Sequence, residues 1–166
     1  MAMNVFAVDP DPVVAAQALH DAHVVKMTLE TAQILCTVIH KYSPNPPAGL
    51  YKPTHPNHPC VRWAGDYQEN YDWLLAHGNA LSAEYSFRFV RRHKTQDIYD
   101  ILNRFNPGLP DFQLQPFVQA MPTLFRGEDP IKAYRGYYGM EKRQGNRWSR
   151  RNPPSWLAGF PPSSKL

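Results

Sequence analysis

The residues between positions 23 and 33 hold an imidazole, an amine, a carboxylate and an amide at steps of three and four: His23, Lys26, Glu30 and Gln33. At helical spacing such side chains share one face. An acid or base beside an amine is the equipment for proton transfer or imine chemistry, where burial can make the amine nucleophilic. The same spacing also describes an ordinary surface ion pair between Lys26 and Glu30, worth about 0.2–0.5 kcal/mol. Both readings stay open on sequence.

Four histidines form two H-x-x-H pairs, His20 with His23 and His55 with His58. Histidines three apart on a helix can chelate zinc. However, His55-Pro56-Asn57-His58 falls in a proline-dense stretch, and no acid or cysteine completes a familiar spacing. No metal and no cofactor is expected, and His58 is expected to cap or orient a neighbouring group.

Aromatic residues supply the next signal. Trp63, Tyr67, Tyr71 and Trp73 recur near helical spacing, which usually marks a core stripe. The functional alternative is a platform for unstacked bases, each worth about 1–3 kcal/mol. Tyr134, Tyr137 and Tyr138 lie among Arg135 and Lys142, a composition suited to touching both bases and phosphates. The net charge is only +4, yet Lys132, Arg135, Lys142, Arg143, Arg147, Arg150 and Arg151 fall in one stretch with Glu141. Arg88, Arg91, Arg92, His93 and Lys94 form a second cluster. Such patches suit a phosphate backbone, against the alternative of a solvated basic face. The candidate nucleic-acid contacts are Asn57, His58, Arg62, Trp63, Arg135, Tyr137, Tyr138 and Lys142. No Gly-rich phosphate loop, G-x-S-x-G elbow or H-x-E deaminase signature is present, which weakens kinase, esterase and zinc-deaminase readings.

The elements that must position these groups are helices. At 166 residues the chain fits one domain. Residues 4–8 are a short apolar run stopped by Asp9-Pro10-Asp11-Pro12, extended or a brief strand. Helical periodicity covers 12–42, with a break near His20-Asp21 and Asp21 as the candidate N-cap of the main segment. Its core stripe is read as Val25, Leu29, Ala32, Cys36 and Ile39. A loop spans 43–59, and a second long helix spans 67–89 with Leu74, Leu75, Ala80, Leu81 and Tyr85 as core candidates. A short helix follows at 95–105, then a loop at 106–116. Asp129-Pro130 opens another helix through Tyr138. The expected fold is all-α or nearly all-α, a single compact domain of three to five helices with long Pro-rich loops. Residues 1–152 form the domain and 153–166 a loosely held Pro/Ser-rich tail. Cys36 and Cys60 are too few for a disulfide framework. The first residues lack a signal peptide's basic start and apolar core, and no apolar run is long enough for a membrane span. A cytoplasmic monomer is expected.

Two resemblances rest on these residues. The order MNVF, HDAHVVKMTLETAQIL and YKPTHPNHPCVRW is similar to a family of small tailed-phage proteins, which would place the protein in an infected bacterial cytoplasm. More distantly, three features resemble the pyrimidine-dimer DNA glycosylase (phage endonuclease V) family. They are an extended N-terminus running into a helix with Ala15-Ala16-Gln17, Asn57-His58-Pro59 before a helix ending Leu81-Ser82-Ala83-Glu84-Tyr85, and Tyr134-Arg135-Gly136-Tyr137-Tyr138. The resemblance implies an all-α DNA-binding domain that cuts the glycosidic bond of a damaged pyrimidine. The mature N-terminal α-amine attacks the sugar C1′ to form an imine, a helix glutamate assists, and elimination then cleaves the backbone. An α-amine with pKa near 8 is partly neutral, hence nucleophilic, at pH 7.

On that resemblance Glu30 matches the glutamate, with Asp21 as the other candidate. The nucleophile is Ala2 once Met1 is removed, or Lys26. His23 and His58 line the pocket. The family's mature chain begins with a small residue followed by arginine, whereas Met1-Ala2-Met3-Asn4 has no basic residue, and Met3 is an alternative start. The expected function is a DNA glycosylase/AP lyase-like enzyme acting on a damaged or modified base. Two alternatives are an enzyme modifying a nucleobase, nucleotide or RNA on the same fold, and a non-enzymatic nucleic-acid-binding module.

Overall fold

The computed structural model describes residues 3–160 and holds six α-helices and no strand among them. The chain is all-α, as its periodicity predicts. No helix is long and apolar enough to cross a membrane among the described residues.

The N-terminal run 3–8 forms neither helix nor strand and is buried throughout. Asn4 fixes its course. The Asn4 Oδ1 accepts from the backbone of Val5 at 2.7 Å and Phe6 at 2.9 Å, and Nδ2 donates to the Ala120 carbonyl at 2.6 Å. The bend this creates puts Phe6 at φ +41, a left-handed value that non-glycine residues seldom adopt.

Asp11 then caps α1 (Pro12–Ala18), accepting from Val13 and Val14, with Pro12 at the first helical position. After a break at Leu19, α2 (Asp21–Tyr42) begins. Its N-cap is His20, whose side chain accepts from the His23 N–H, rather than Asp21. Asp21 instead sits inside the first turn, held by Ser149 and Arg88.

The core face of α2 is also rotated from the expected one. Ala32, Cys36 and Ile39 are buried, but Val25 and Leu29 are 43% and 37% exposed. Val24, Met27, Thr28, Thr31, Leu35 and Val38 fill the interior in their place. Threonine is tolerated there because Thr28 and Thr37 return their hydroxyls to the carbonyls of Val24 and Gln33.

His58 caps α3 (Pro59–Asp66) by accepting from the Cys60 N–H at 3.0 Å. A separate helix α4 (Gln68–Phe89) follows, so the expected helix 67–89 gains a short partner in front of it. Helix α4 packs against α1, α2 and α3. Its buried polar side chains reach carbonyls that helix ends and loops leave unpaired. Asn70 donates to Trp63 O, a His77 ring nitrogen lies 2.9 Å from Pro12 O, and Arg88 donates to the carbonyls of Leu19 and Gln17. Arg88 is itself buried between Asp21 and Glu84.

The short α5 (Gln96–Leu102) lies against α2 and α4, with Tyr99 donating to the Thr28 carbonyl at 2.7 Å. The non-helical stretch after it is pinned by the first turn of α4, through Gln68, Glu69 and Asn70. Asp129 caps α6 (Pro130–Tyr137), which continues into a π-helical turn, Tyr138–Lys142. A 3₁₀ turn, Ser155–Gly159, buries Leu157, and Arg143 donates to the carbonyls of Leu157 and Phe160. Residues 161–166 lie outside the described residues.

Candidate active site

One open cleft of about 350 Å³ is lined by Met3, Lys26, Leu29, Glu30, Gln33, Thr54 and His55. Three structural decisions build it. The Asn4 clamp brings Met3 against α2, and the Met3 carbonyl lies 3.8 Å from the Cys60 thiol. Helix α2 presents Lys26, Glu30 and Gln33 on successive turns. The loop between α2 and α3 is tied back to α2 by Thr37, which accepts from Thr54 N at 3.0 Å and approaches Thr54 O at 3.3 Å.

Glu30 is the reactive-looking group here. Its side chain is only about a tenth exposed, and burial lifts its carboxyl above the ordinary carboxylate range. The Lys26 ammonium, 3.6 Å away, pulls part of that rise back. A sheltered carboxyl whose pKa is raised by burial is the type of group that general acid–base chemistry uses.

His23 shares the helix face but not the cleft. It stacks between Phe6, 4.6 Å away, and His20, 4.1 Å away, and its Nδ1 is 3.0 Å from the Tyr138 hydroxyl. Burial, with the charges of His20, Lys26 and Lys142, pushes its pKa down to about 3. Neutral at physiological pH, it is a packing partner of the N-terminal bend. The expected four-residue set therefore divides: Lys26, Glu30 and Gln33 meet, and His23 joins an aromatic cluster. Asp21, the other candidate acid, is spent on Arg88 and Ser149, and hydrogen bonds overcome burial to hold its pKa below the usual value. Ala2 lies outside the described residues.

The expected nucleic-acid contacts separate as well. Asn57 and Arg62 are exposed, and His58 is occupied by its cap. Trp63 is a core residue instead of a platform, its indole N–H donating to Pro116 O. Tyr138 is fully buried, its hydroxyl accepting from the His20 N–H at 2.9 Å, so it supports His20 and His23 from inside the core. Tyr137 is half-buried and carries Lys142 over its ring at 5.2 Å. Arg135 donates to Val8 O and pairs with Asp9, fastening the end of the N-terminal run. Much of the basic cluster has a similar job, since Arg143, Arg150 and Arg151 bond to Leu157 and Phe160, Phe87, and Glu84.

No group of three or more His, Cys, Asp or Glu residues is placed to hold a metal ion among the described residues. Spacing offered His55 only as half of an H-x-x-H pair, and not as a neighbour of Lys26 and Glu30. Its place in the cleft depends on the ties between Thr37 and Thr54, which a proline-dense loop does not advertise.

Set beside known proteins, residues 3–97 match the sequence profile of the family described as pyrimidine dimer DNA glycosylase. The match takes in the N-terminal run, α1 to α4 and every residue lining the cleft. No curated protein and no solved structure matches the chain.

Proposed function

We propose, from the premise that this chain belongs to the pyrimidine dimer DNA glycosylase family, that it removes a damaged base from DNA through an imine and then cuts the strand. DNA as substrate and glycosylase-like chemistry follow from the family. The imine, the lyase step and the residues are our own reading.

Glu30 carries that reading, a sheltered carboxyl with a raised pKa in the cleft that the first described residue, Met3, also lines. The α-amine of Ala2, one residue before Met3, is assigned as the nucleophile. It attacks C1′, the glycosidic bond breaks, and the base leaves with the bonding pair. Protonation of the ring oxygen by Glu30 then opens the sugar and leaves the imine. The other amine, Lys26, is committed to the Glu30 carboxylate and is assigned to hold that carboxyl in place. Exposed cations that lack a side-chain partner among the described residues, Arg62 and Lys132 among them, are assigned to the phosphate backbone.

The test is a duplex with a single abasic site, incubated with protein and borohydride and run on a denaturing gel. A covalent band is expected. It disappears when the N-terminus is blocked, persists in Lys26→Ala, and forms about 10²–10⁴-fold more slowly in Glu30→Gln. A band lost in Lys26→Ala but kept after blocking would move the nucleophile to Lys26. No band, with DNA binding retained, would reject the imine chemistry and favour base or nucleotide modification on the same fold.

A further inference from the structure

His55 stands on the wall of the cleft contributed by the loop between α2 and α3, which also brings Thr54, while Lys26, Glu30 and Gln33 come from α2. It is an exposed, non-glycine residue at φ +49, a backbone state that costs energy and persists only where neighbours enforce it. Here they do. The Thr54 N–H donates to the Thr37 hydroxyl at 3.0 Å, Pro56 O accepts from Lys41 at 2.9 Å, and His55 O accepts from His58 N at 3.0 Å. The Thr54 hydroxyl lies 2.7 Å from His55 Nδ1, which fixes the ring. Nε2 carries no hydrogen bond among the described residues. When Nδ1–H donates to Thr54, Nε2 keeps its lone pair, the arrangement in which an oriented imidazole acts as a base.

We infer that His55 is the base of the strand-cutting step. The inference rests on the imine reading above and adds a second proton carrier to it. Nε2 takes the C2′ proton of the imine-linked sugar. The C2′–H electron pair forms the C1′=C2′ bond of an enamine, and the iminium π pair moves onto nitrogen. That pair then returns to re-form the carbon–nitrogen double bond, C2′=C3′ forms, and the C3′–O3′ bond breaks. O3′ departs with its electrons as the 5′-phosphate of the downstream strand, and His55 passes its proton to solvent. Glu30 gives a proton from one wall and His55 takes one from the other, so neither has to be recharged between imine formation and elimination.

Two variants suit the backbone: His55→Asn, whose side chain tolerates positive φ and can still reach Thr54, and His55→Gly. Imine formation is read by borohydride trapping on abasic-site DNA, and elimination by strand scission without borohydride. Trapping within about threefold of the parent protein, with scission slowed about 100-fold or more, is expected in both variants. Added imidazole is expected to restore scission in His55→Gly above the level seen with imidazole and no protein. Unchanged scission would overturn the inference, and so would equal loss of trapping and scission, which would place His55 before the imine. Absence of any adduct with the parent protein would remove the imine reading itself and this step with it.

Discussion

Replacing Asn4 with alanine should loosen the front of the molecule by a calculable amount. The amide accepts from two buried backbone N–H groups, at 2.7 and 2.9 Å, and donates to the Ala120 carbonyl at 2.6 Å. A buried donor left without an acceptor costs about 1–3 kcal/mol. Val5 and Phe6 would both be orphaned, and the left-handed turn at Phe6 would lose its support. Allowing for partial relaxation, Asn4→Ala is expected to lower the unfolding free energy by about 2–4 kcal/mol. Urea unfolding followed by tryptophan fluorescence measures this, as a fall in midpoint at unchanged slope. Asn4→Asp retains the acceptor oxygen and is expected to leave Val5 and Phe6 protected from amide exchange, which Asn4→Ala exposes. A loss below about 0.5 kcal/mol in Asn4→Ala would refute the claim that this side chain sets the course of the N-terminal run.

Other perturbations test other parts of the fold. Burial lowers the pKa of His20 and His77 to about 4 and that of His23 to about 3, from 6.5. Between pH 6.5 and 4 the unfolded chain therefore binds more protons than the folded one. Stability is lost as pH falls through that window, each imidazole contributing up to about 1.4 kcal/mol per pH unit; a urea midpoint that stays flat from pH 7 to 4.5 would contradict this. At Gly78 an added Cβ would lie 2.5 Å from the buried Tyr99 ring, so Gly78→Ala is expected to destabilise by about 1–3 kcal/mol. Gly127→Ala meets nothing and is expected to stay within about 0.5 kcal/mol of the parent. Arg88→Met removes the buried cation between Asp21 and Glu84, leaving them only Ser149 and Arg151, and strands the carbonyls of Leu19 and Gln17. A loss of about 3–5 kcal/mol is expected on thermal or urea unfolding.

Helix starts were the most legible feature of the sequence, because a cap is local chemistry. Asp129-Pro130 opens α6 as its types predict, and His58 caps α3. At the start of α2 the rule chose the wrong neighbour, since Asp21 was drawn to Arg88 and Ser149, 67 and 128 residues away. The core face of α2 was misread because the helix is covered on several sides, so a single apolar stripe does not describe it. Val25 and Leu29 fall at the margin and threonines fill the interior. Within the candidate site, Lys26 and Glu30 could be paired from spacing alone, but the separation of His23 could not. That outcome depends on Phe6 and Tyr138, from opposite ends of the chain, closing on its ring. The basic patch shows a related limit of spacing. A guanidinium that satisfies a distant carbonyl is indistinguishable in sequence from one that waits for phosphate.

The start of α2 is sealed by the far end of the chain: Asp21 N donates to Arg147 O, Trp148 donates to Ala18 O, and Ser149 bonds to the Asp21 carboxylate. This has a consequence for synthesis on the ribosome. At about 5–20 residues per second, the 128 residues between Asp21 and Ser149 take roughly 6–25 s to make. Throughout that interval the helix bearing Glu30 has its core partners α3 and α4 emerging beside it but no lock on its first turn. The nascent chain can thus gather its hydrophobic centre early and complete the start of α2 last, so a ribosome stalled before residue 147 would display a collapsed but unfinished fold.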